Sequence, residues 1–145
     1  QNRRIGMTEK NMEELAQEVE VLRASKRFTD ALTTCGHMID KDRNDPAGYL
    51  LKARVLDDLK IYAGAMESLN TVASMDPTNM MMWFLRGRTL HHLGLWEDAL
   101  ECYEYLLDAG EERAGLWIRK GLVLRKLKRY QLALDCFRTA VKLDA

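Results

Sequence analysis

Residues 80–113 read MMMWFLRGRTLHHLGLWEDALECYEYLLDAGEER, and this stretch decides the fold. Its apolar residues recur every three or four positions on both sides of Gly94, where the pattern is interrupted. This periodicity predicts two short amphipathic helices joined by a tight turn. The landmark positions of the stretch hold Trp83, Gly87, Leu90, Gly94, Trp96, Ala99 and Tyr103.

The same arrangement of aromatic and small residues recurs with a period of 34 residues before and after this stretch. One period earlier the positions hold Tyr49, Ala53, Leu56, Lys60, Tyr62, Ala65 and Leu69. One period later they hold Trp117, Gly121, Leu124, Lys128, Tyr130, Ala133 and Phe137. With a weaker first copy, we expect four units, at 12–45, 46–79, 80–113 and 114–145, after a tail at 1–11. A single helix pair cannot bury its own apolar face, so the period predicts a stack of such pairs.

The junctions between the predicted helices carry their own signals. Asp45 followed by Pro46 is typical of a helix start, since the carboxylate caps the helix and proline suits its first position. Gly94 suits a left-handed turn residue between the two helices of its unit. The other units have lysine at this position, where a left-handed conformation costs on the order of 1 kcal/mol. We therefore expect a different turn at Lys26, Lys60 and Lys128.

Composition excludes several classes of protein. The chain has 22 basic and 22 acidic residues and only two prolines among 145 residues, which is typical of a folded, surface-charged domain. Three cysteines without a paired spacing favour a reducing, cytoplasmic location over a disulfide framework. No apolar run approaches the ~18–20 residues of a membrane span, so we expect no membrane partner. Net charge is −4 over residues 80–113 and +6 over residues 114–145.

The repeated pattern resembles the tetratricopeptide repeat (TPR). In residues 80–113 the resemblance is carried by Trp83-x2-Arg86-Gly87-x2-Leu90…Gly94-x-Trp96-x2-Ala99-x3-Tyr103. It extends over residues 12–145, although a position that is leucine in the family is charged in every unit. The resemblance implies an all-α solenoid, a right-handed superhelix of four helix-turn-helix units. It also implies that the first helices of the units line a concave groove that binds extended peptides or short helices.

Carried over position by position, the resemblance implies ten groove residues. They are Leu50, Arg54, Met81, Phe84, Arg88, His91, Ile118, Leu122, Arg125 and Lys126. The apolar members would form a strip that the core does not need, with the cations beside it. A partner segment with apolar side chains and carboxylates would fit such a surface. Alternatively, Asp57 and Asp58 neutralise Arg54 or Arg88 within the groove.

Other functional sites are not expected. His91 and His92 are adjacent, so they point about 100° apart on a helix and cannot chelate one metal ion together. No phosphate-binding loop or nucleophile motif is present, and we expect no enzyme activity, cofactor or metal. The basic residues between 119 and 129 lack interleaved aromatic residues, so we expect no nucleic-acid partner. Part of this basic cluster should pair with the acidic helix before it. The carboxylate clamp of co-chaperone TPR proteins is not matched, although Arg119 occupies one of its positions.

The sequence therefore favours a protein–protein interaction scaffold. The alternative is a structural array that self-associates through its last helix, around residues 130–143. Apolar residues on that helix include Leu132, Leu134, Phe137 and Val141, and a following helix would normally cover such a face. We also expect the chain to be part of a longer repeat protein, in which a catalytic domain outside these residues is a weaker third hypothesis.

Overall fold

A computed structural model describes residues 9–144, so most of the predicted tail lies outside the described residues. Within that range the chain forms eight α-helices and no strand. The helices are α1 (Met12–Ala24), α2 (Phe28–Lys41), α3 (Pro46–Asp58), α4 (Tyr62–Met75), α5 (Met80–His92), α6 (Trp96–Asp108), α7 (Ala114–Lys126) and α8 (Tyr130–Asp144).

The helix boundaries repeat with the period of the sequence. The first helices of the units begin at 12, 46, 80 and 114, and the second helices begin at 28, 62, 96 and 130. Each helix packs against the next one in the chain, and α3 also contacts both α1 and α5. This stacking confirms the predicted all-α solenoid of helix-turn-helix units.

Small residues let the two helices of a unit approach closely. A Cβ added at Gly87 would lie 2.8 Å from Cε1 of Tyr103, and one added at Gly121 would lie 2.5 Å from Cε1 of Phe137. Both distances are shorter than van der Waals contact, so the aromatic ring of the second helix occupies the space that a side chain would need. The second helices contribute buried alanines at one equivalent position: Ala31, Ala65, Ala99 and Ala133.

Side-chain caps define several helix starts. The Asn11 side chain accepts from the Glu14 amide at 2.8 Å, and Glu14 Oε1 accepts from the Asn11 amide at 3.0 Å, which makes a capping box on α1. Asp45 Oδ1 accepts from the Ala47 amide at 2.9 Å, with Pro46 in the first position as predicted. These acceptors satisfy amides that have no partner inside the helix.

The turns within the units are built alike, which contradicts the expectation of a different turn at the lysines. The φ angles of Lys26, Lys60 and Lys128 are 59°, 63° and 63°, beside 79° for Gly94. In the turn of the first unit, Lys26 N donates to Arg23 O at 2.9 Å and Arg27 N to Leu22 O at 2.8 Å. Equivalent bonds close the other three turns. They form a Schellman motif, which holds each lysine in a conformation that is unfavourable for a residue with a Cβ.

The three cysteines are buried and free. Burial raises the pKa of the Cys35 thiol to about 12 and that of the Cys102 thiol to about 11. Both remain protonated at neutral pH and serve as packing residues, as predicted. No helix within residues 9–144 has the length and hydropathy needed to cross a bilayer.

Candidate peptide-binding groove

The ten predicted groove residues lie on α3, α5 and α7, the first helices of units two to four. We call the surface formed by α1, α3, α5 and α7 the groove. Met81 and Ile118 are each 43% exposed and are not needed by the core. Leu50 and Phe84 instead pack against buried core residues. The apolar strip is therefore free only in part.

Asp57 holds the centre of an ion network in the groove. Its side chain is 3% exposed, and its Oδ2 lies 2.9 Å from Nε of Arg88, which is itself only 17% exposed. Its Oδ1 lies 3.0 Å from Nδ1 of His92 and accepts from the buried Thr89 hydroxyl at 3.3 Å. Arg88 also reaches Asp58 at 3.1 Å. The predicted neutralisation of Arg88 by Asp57 and Asp58 is confirmed.

A second set of ion pairs continues the network across units one and two. Arg23 lies 2.8 Å from Asp58 and 2.7 Å from Glu20, and Glu20 also lies 2.7 Å from Arg54. Arg54 is thus neutralised by Glu20 rather than by either aspartate. The cations that the sequence predicted for the first part of the groove are already paired within the protein.

In the second part of the groove, several cations are not paired with a carboxylate of the described residues. Over residues 9–144, no carboxylate lies within 4 Å of Arg119, Arg125 or Lys126. These three cations surround His91, whose pKa is lowered by burial and by the charges of His92, Lys126, Arg119 and Arg125. The imidazole of His91 is therefore neutral at pH 7 in the free protein. Helix α7 of unit four thus presents these cations without a carboxylate partner among residues 9–144, next to the α5 side of the groove.

Phe84 lies beneath two arginines that were not among the predicted groove residues. The guanidinium carbon of Arg119 is 5.3 Å from the Phe84 ring centroid, and that of Arg113 is 5.7 Å from it. Such contacts contribute about 0.5–1 kcal/mol at exposed sites. Arg119 could have been found from the sequence, because it occupies one clamp position of the family. Arg113 lies between two helices, and nothing in the sequence pattern indicates its contact.

Tyr103 places an unsatisfied hydroxyl under the same surface. The side chain is fully buried, and its hydroxyl has no hydrogen-bond partner among residues 9–144. The ring centroid lies 6.3 Å from that of Phe84. Burial raises the pKa of Tyr103, with nearby charges on Arg119 and Arg88 opposing the shift. The phenol is therefore a protonated donor without an acceptor.

Replacing Tyr103 by phenylalanine is expected to stabilise the fold by about 1 kcal/mol, because an unsatisfied buried polar group costs roughly 1–3 kcal/mol. Unit four already carries Phe137 at the equivalent position. Urea unfolding followed by circular dichroism measures the change. Tyr105→Phe, on the half-buried ring that stacks on Trp83 at 4.4 Å, is the matched control and should change stability by less than about 0.5 kcal/mol. A loss of stability in Tyr103→Phe would contradict an unsatisfied hydroxyl.

The basic residues of unit four pair in part with the acidic helix α6. Arg129 lies 2.5 Å from Glu97, and Lys120 lies 3.7 Å from Glu104. The predicted partial pairing is confirmed. Exposed pairs of this kind contribute about 0–1 kcal/mol each.

The architecture defines a class of protein: a helical-repeat solenoid, in which helix-turn-helix units stack on one another. Models of the tetratricopeptide repeat match residues 50–111 and 114–145. The chain belongs to the tetratricopeptide repeat family. It is accordingly a protein-interaction scaffold, a class that typically lacks catalytic activity.

Solved structures with the same fold include a TPR protein of Thermus thermophilus and MamA proteins. A thermophilic TPR protein of Thermus thermophilus matches with a TM-score of 0.82 and 20% identity over 92% of this chain and 74% of that one. MamA of Desulfovibrio magneticus RS-1, from residue 41 to its end, matches with a TM-score of 0.74 and 21% identity over 92% and 78%. A further MamA structure matches with a TM-score of 0.76 and 15% identity over 92% and 78%. Comparison with curated protein sequences finds no match. At these identities the structural matches support the fold alone.

Proposed function

We propose that the chain binds an extended peptide or short helix of a partner protein in the groove, at units three and four. The partner segment carries apolar side chains together with aspartate or glutamate. The observation that supports this is the uneven neutralisation of the groove. Arg54 and Arg88 are paired with carboxylates of the protein, whereas Arg119, Arg125 and Lys126 have none within 4 Å in the described part of the chain.

The apolar side chains beside these cations supply the anchoring contacts. Met81 and Ile118 are exposed on α5 and α7, and Leu122 lies half-buried one turn after Ile118. Full burial of such a side chain from an exposed state is worth about 1.5–3 kcal/mol, and since Met81 and Ile118 are 43% exposed, covering the rest contributes roughly half of that. Arginine then orients the segment, because its planar group can pair with both oxygens of a carboxylate.

Selection of phage-displayed random 12-residue peptides on the wild-type chain tests this proposal. Selected peptides should be enriched in acidic and apolar residues. Fluorescence anisotropy of the synthesised peptides should show at least tenfold weaker binding to Ile118→Ser/Arg125→Glu/Lys126→Glu, since rim charges and an apolar anchor are both lost. The three side chains lie outside the buried core, so folding should be unaffected.

The matched control is Val21→Ser/Lys41→Glu/Arg43→Glu, which makes the same chemical changes at exposed positions outside units three and four. It should bind the selected peptides as the wild type does. Selected peptides without acidic residues, or equal binding to the groove variant, would show that the cationic half of the groove is not the binding surface.

A second candidate function is self-association through α8. Its exposed apolar residues include Leu132, Leu134 and Val141, and Leu134, Phe137 and Val141 line an open depression with an apolar surface. Sedimentation velocity distinguishes this function from the first. A dimer that Leu134→Lys/Val141→Lys dissociates would support it, and a monomer at high concentration would exclude it.

A further inference from the structure

The turns that join the two helices of each unit form an edge with an unusual charge. We call residues 25–27, 59–61, 93–95 and 127–129 the turn edge. These twelve residues include five cations and no acid, although the whole chain has 22 of each. The cations are Lys26, Arg27, Lys60, Lys128 and Arg129. Because equivalent positions of a solenoid follow one another along its length, the four turns lie in a row.

The two middle turns also expose aliphatic side chains. Leu59 is 36% exposed, Ile61 49%, Leu93 43% and Leu95 48%. They flank the tip residues, Lys60 and Gly94, symmetrically in the two units. Neighbouring exposed apolar residues in such an arrangement mark an interaction surface more often than scattered ones do.

Folding does not require aliphatic residues at these positions. The first unit has Ser25 where the middle units have leucine, and it has Arg27 where they have Ile61 and Leu95. The backbone is the same in all three units, with φ of −92° at Arg27, −97° at Ile61 and −91° at Leu95. The turn therefore also forms with polar side chains, although an apolar residue at 61 or 95 often contacts the preceding helix in a Schellman motif.

Folding does not favour the lysines at the tips either. Lys26, Lys60 and Lys128 adopt positive φ, where glycine fits without strain, as Gly94 does in unit three. Three units thus keep a cation at a cost in stability. Two features without which the turn still forms, exposed aliphatic residues and lysines at positive φ, occur on the same edge.

Of the five cations on the turn edge, the lysines differ from the arginines in having no ion pair with a carboxylate of the described residues. Arg27 lies 2.7 Å from Asp30, and Arg129 lies 2.5 Å from Glu97. Within residues 9–144, by contrast, no carboxylate forms an ion pair with the three lysines of the tips. Their charge is therefore not neutralised by this part of the chain.

We propose that the turn edge docks on the surface of an anionic lipid bilayer. Its aliphatic side chains insert among the headgroups, and its lysines and arginines face the lipid phosphates and carboxylates. Each cation near an anionic membrane adds about a factor of five in affinity, and apolar insertion adds to it. Tyr62, Trp96 and Tyr130, which follow the turns directly, are of the residue types that favour the membrane interface.

The shape and charge of the edge favour a lipid surface over a protein. The turns follow one another in a row, so their exposed side chains can contact a flat surface at the same time. A second copy that docks through the apolar face of α8 is disfavoured by charge, because Lys142 and Arg138 line that face, with Asp135 3.9 Å from Arg138. We expected no membrane partner because no apolar run can cross a bilayer, but docking on a surface needs no such run.

Flotation with extruded vesicles tests the proposal. The wild-type chain should float with vesicles in which phosphatidylserine makes up about a third of the lipid and phosphatidylcholine the rest. It should float much less with phosphatidylcholine alone. Binding should decrease with added NaCl, because exposed charges are screened.

The triple variant Lys26→Gly/Lys60→Gly/Lys128→Gly should lose about a hundredfold in vesicle affinity. The same variant should unfold at higher urea concentration, so its loss of binding cannot be due to misfolding.

A second variant removes the apolar part. Leu59→Ser/Leu93→Ser, which introduces the residue that unit one has at this position, should reduce vesicle binding at least tenfold without changing the helix content. The groove variant Ile118→Ser is the control and should float as the wild type does. Equal flotation with neutral and anionic vesicles, or unchanged flotation of both edge variants, would overturn the proposal. It would also be overturned if Leu59→Ser/Leu93→Ser dissociated a dimer, as measured by sedimentation velocity, without weakening vesicle binding.

Discussion

Replacing Asp57 by alanine is expected to lower the free energy of unfolding by about 2–4 kcal/mol, because removing one partner of a buried pair leaves the other charge uncompensated. The carboxylate is buried and contacts Arg88, His92 and Thr89 at 2.9, 3.0 and 3.3 Å. Loss of one partner in such a pair costs roughly 3–5 kcal/mol. Arg88 keeps its contact with Asp58 at 3.1 Å, so we expect a loss about 1 kcal/mol smaller than this range.

Urea unfolding of the single and double variants measures this effect. In a double-mutant cycle, Asp57→Ala and Arg88→Ala should be coupled by more than about 1 kcal/mol, because the two side chains contact each other directly at 2.9 Å. Asp98→Ala, an exposed aspartate of α6, is the control and should change stability by less than about 0.5 kcal/mol. Equal effects of Asp57→Ala and Asp98→Ala would show that the network does not stabilise the fold.

Replacing Gly121 by alanine is expected to destabilise the protein by about 1–3 kcal/mol through overpacking, although alanine is the better helix former. The added Cβ would lie 2.5 Å from Cε1 and 2.9 Å from Cδ1 of Phe137. The ring packs against the core cluster of units three and four, so the two helices must move apart to admit the methyl group.

Gly115→Ala is a matched control on the same helix. Apart from its chain neighbours and the nearby backbone of α7, no described atom lies within 4 Å of a Cβ added at Gly115. Its substitution should therefore stabilise the protein by up to about 1 kcal/mol through helix propensity. Thermal unfolding should show changes of opposite sign for the two variants. The same sign for both would mean that the Phe137 ring can move aside.

The period of the sequence was sufficient to predict the fold, because it reflects interactions between residues that are close in sequence, such as helix packing faces and helix caps. The spacing of Trp83, Gly87 and Leu90 defines the buried face of one helix, and the Asp45–Pro46 pair defines where another helix starts. These signals act over a few residues and repeat in every unit. The prediction of a different turn at the lysines was wrong because it considered only the backbone strain of one residue and no interaction that could compensate for it. The two Schellman hydrogen bonds, seen only in the folded turn, outweigh that strain.

The candidate groove was predictable in position but not in charge. The resemblance placed ten residues on the first helices, and those residues lie there. It could not tell which cations are available to a ligand. The partner of Arg54 is 34 residues away at Glu20, and Thr89 meets Asp57 across 32 residues. Several acids are possible partners for each cation at such separations, and side-chain geometry selects among them.

The sequence by itself determined the helical pairs, their stacking and the family, because the spacing of apolar residues along the chain shows which positions are buried. Only the tertiary structure decided that Arg54 and Arg88 are neutralised while Arg119 and Arg125 have no such partner in the described part of the chain. It also decided that Tyr103 has an unpaired hydroxyl there and that the aliphatic residues of the turns stay exposed. The physical reason is that pairing and exposure depend on distances between neighbouring units, which the linear period of the sequence does not contain.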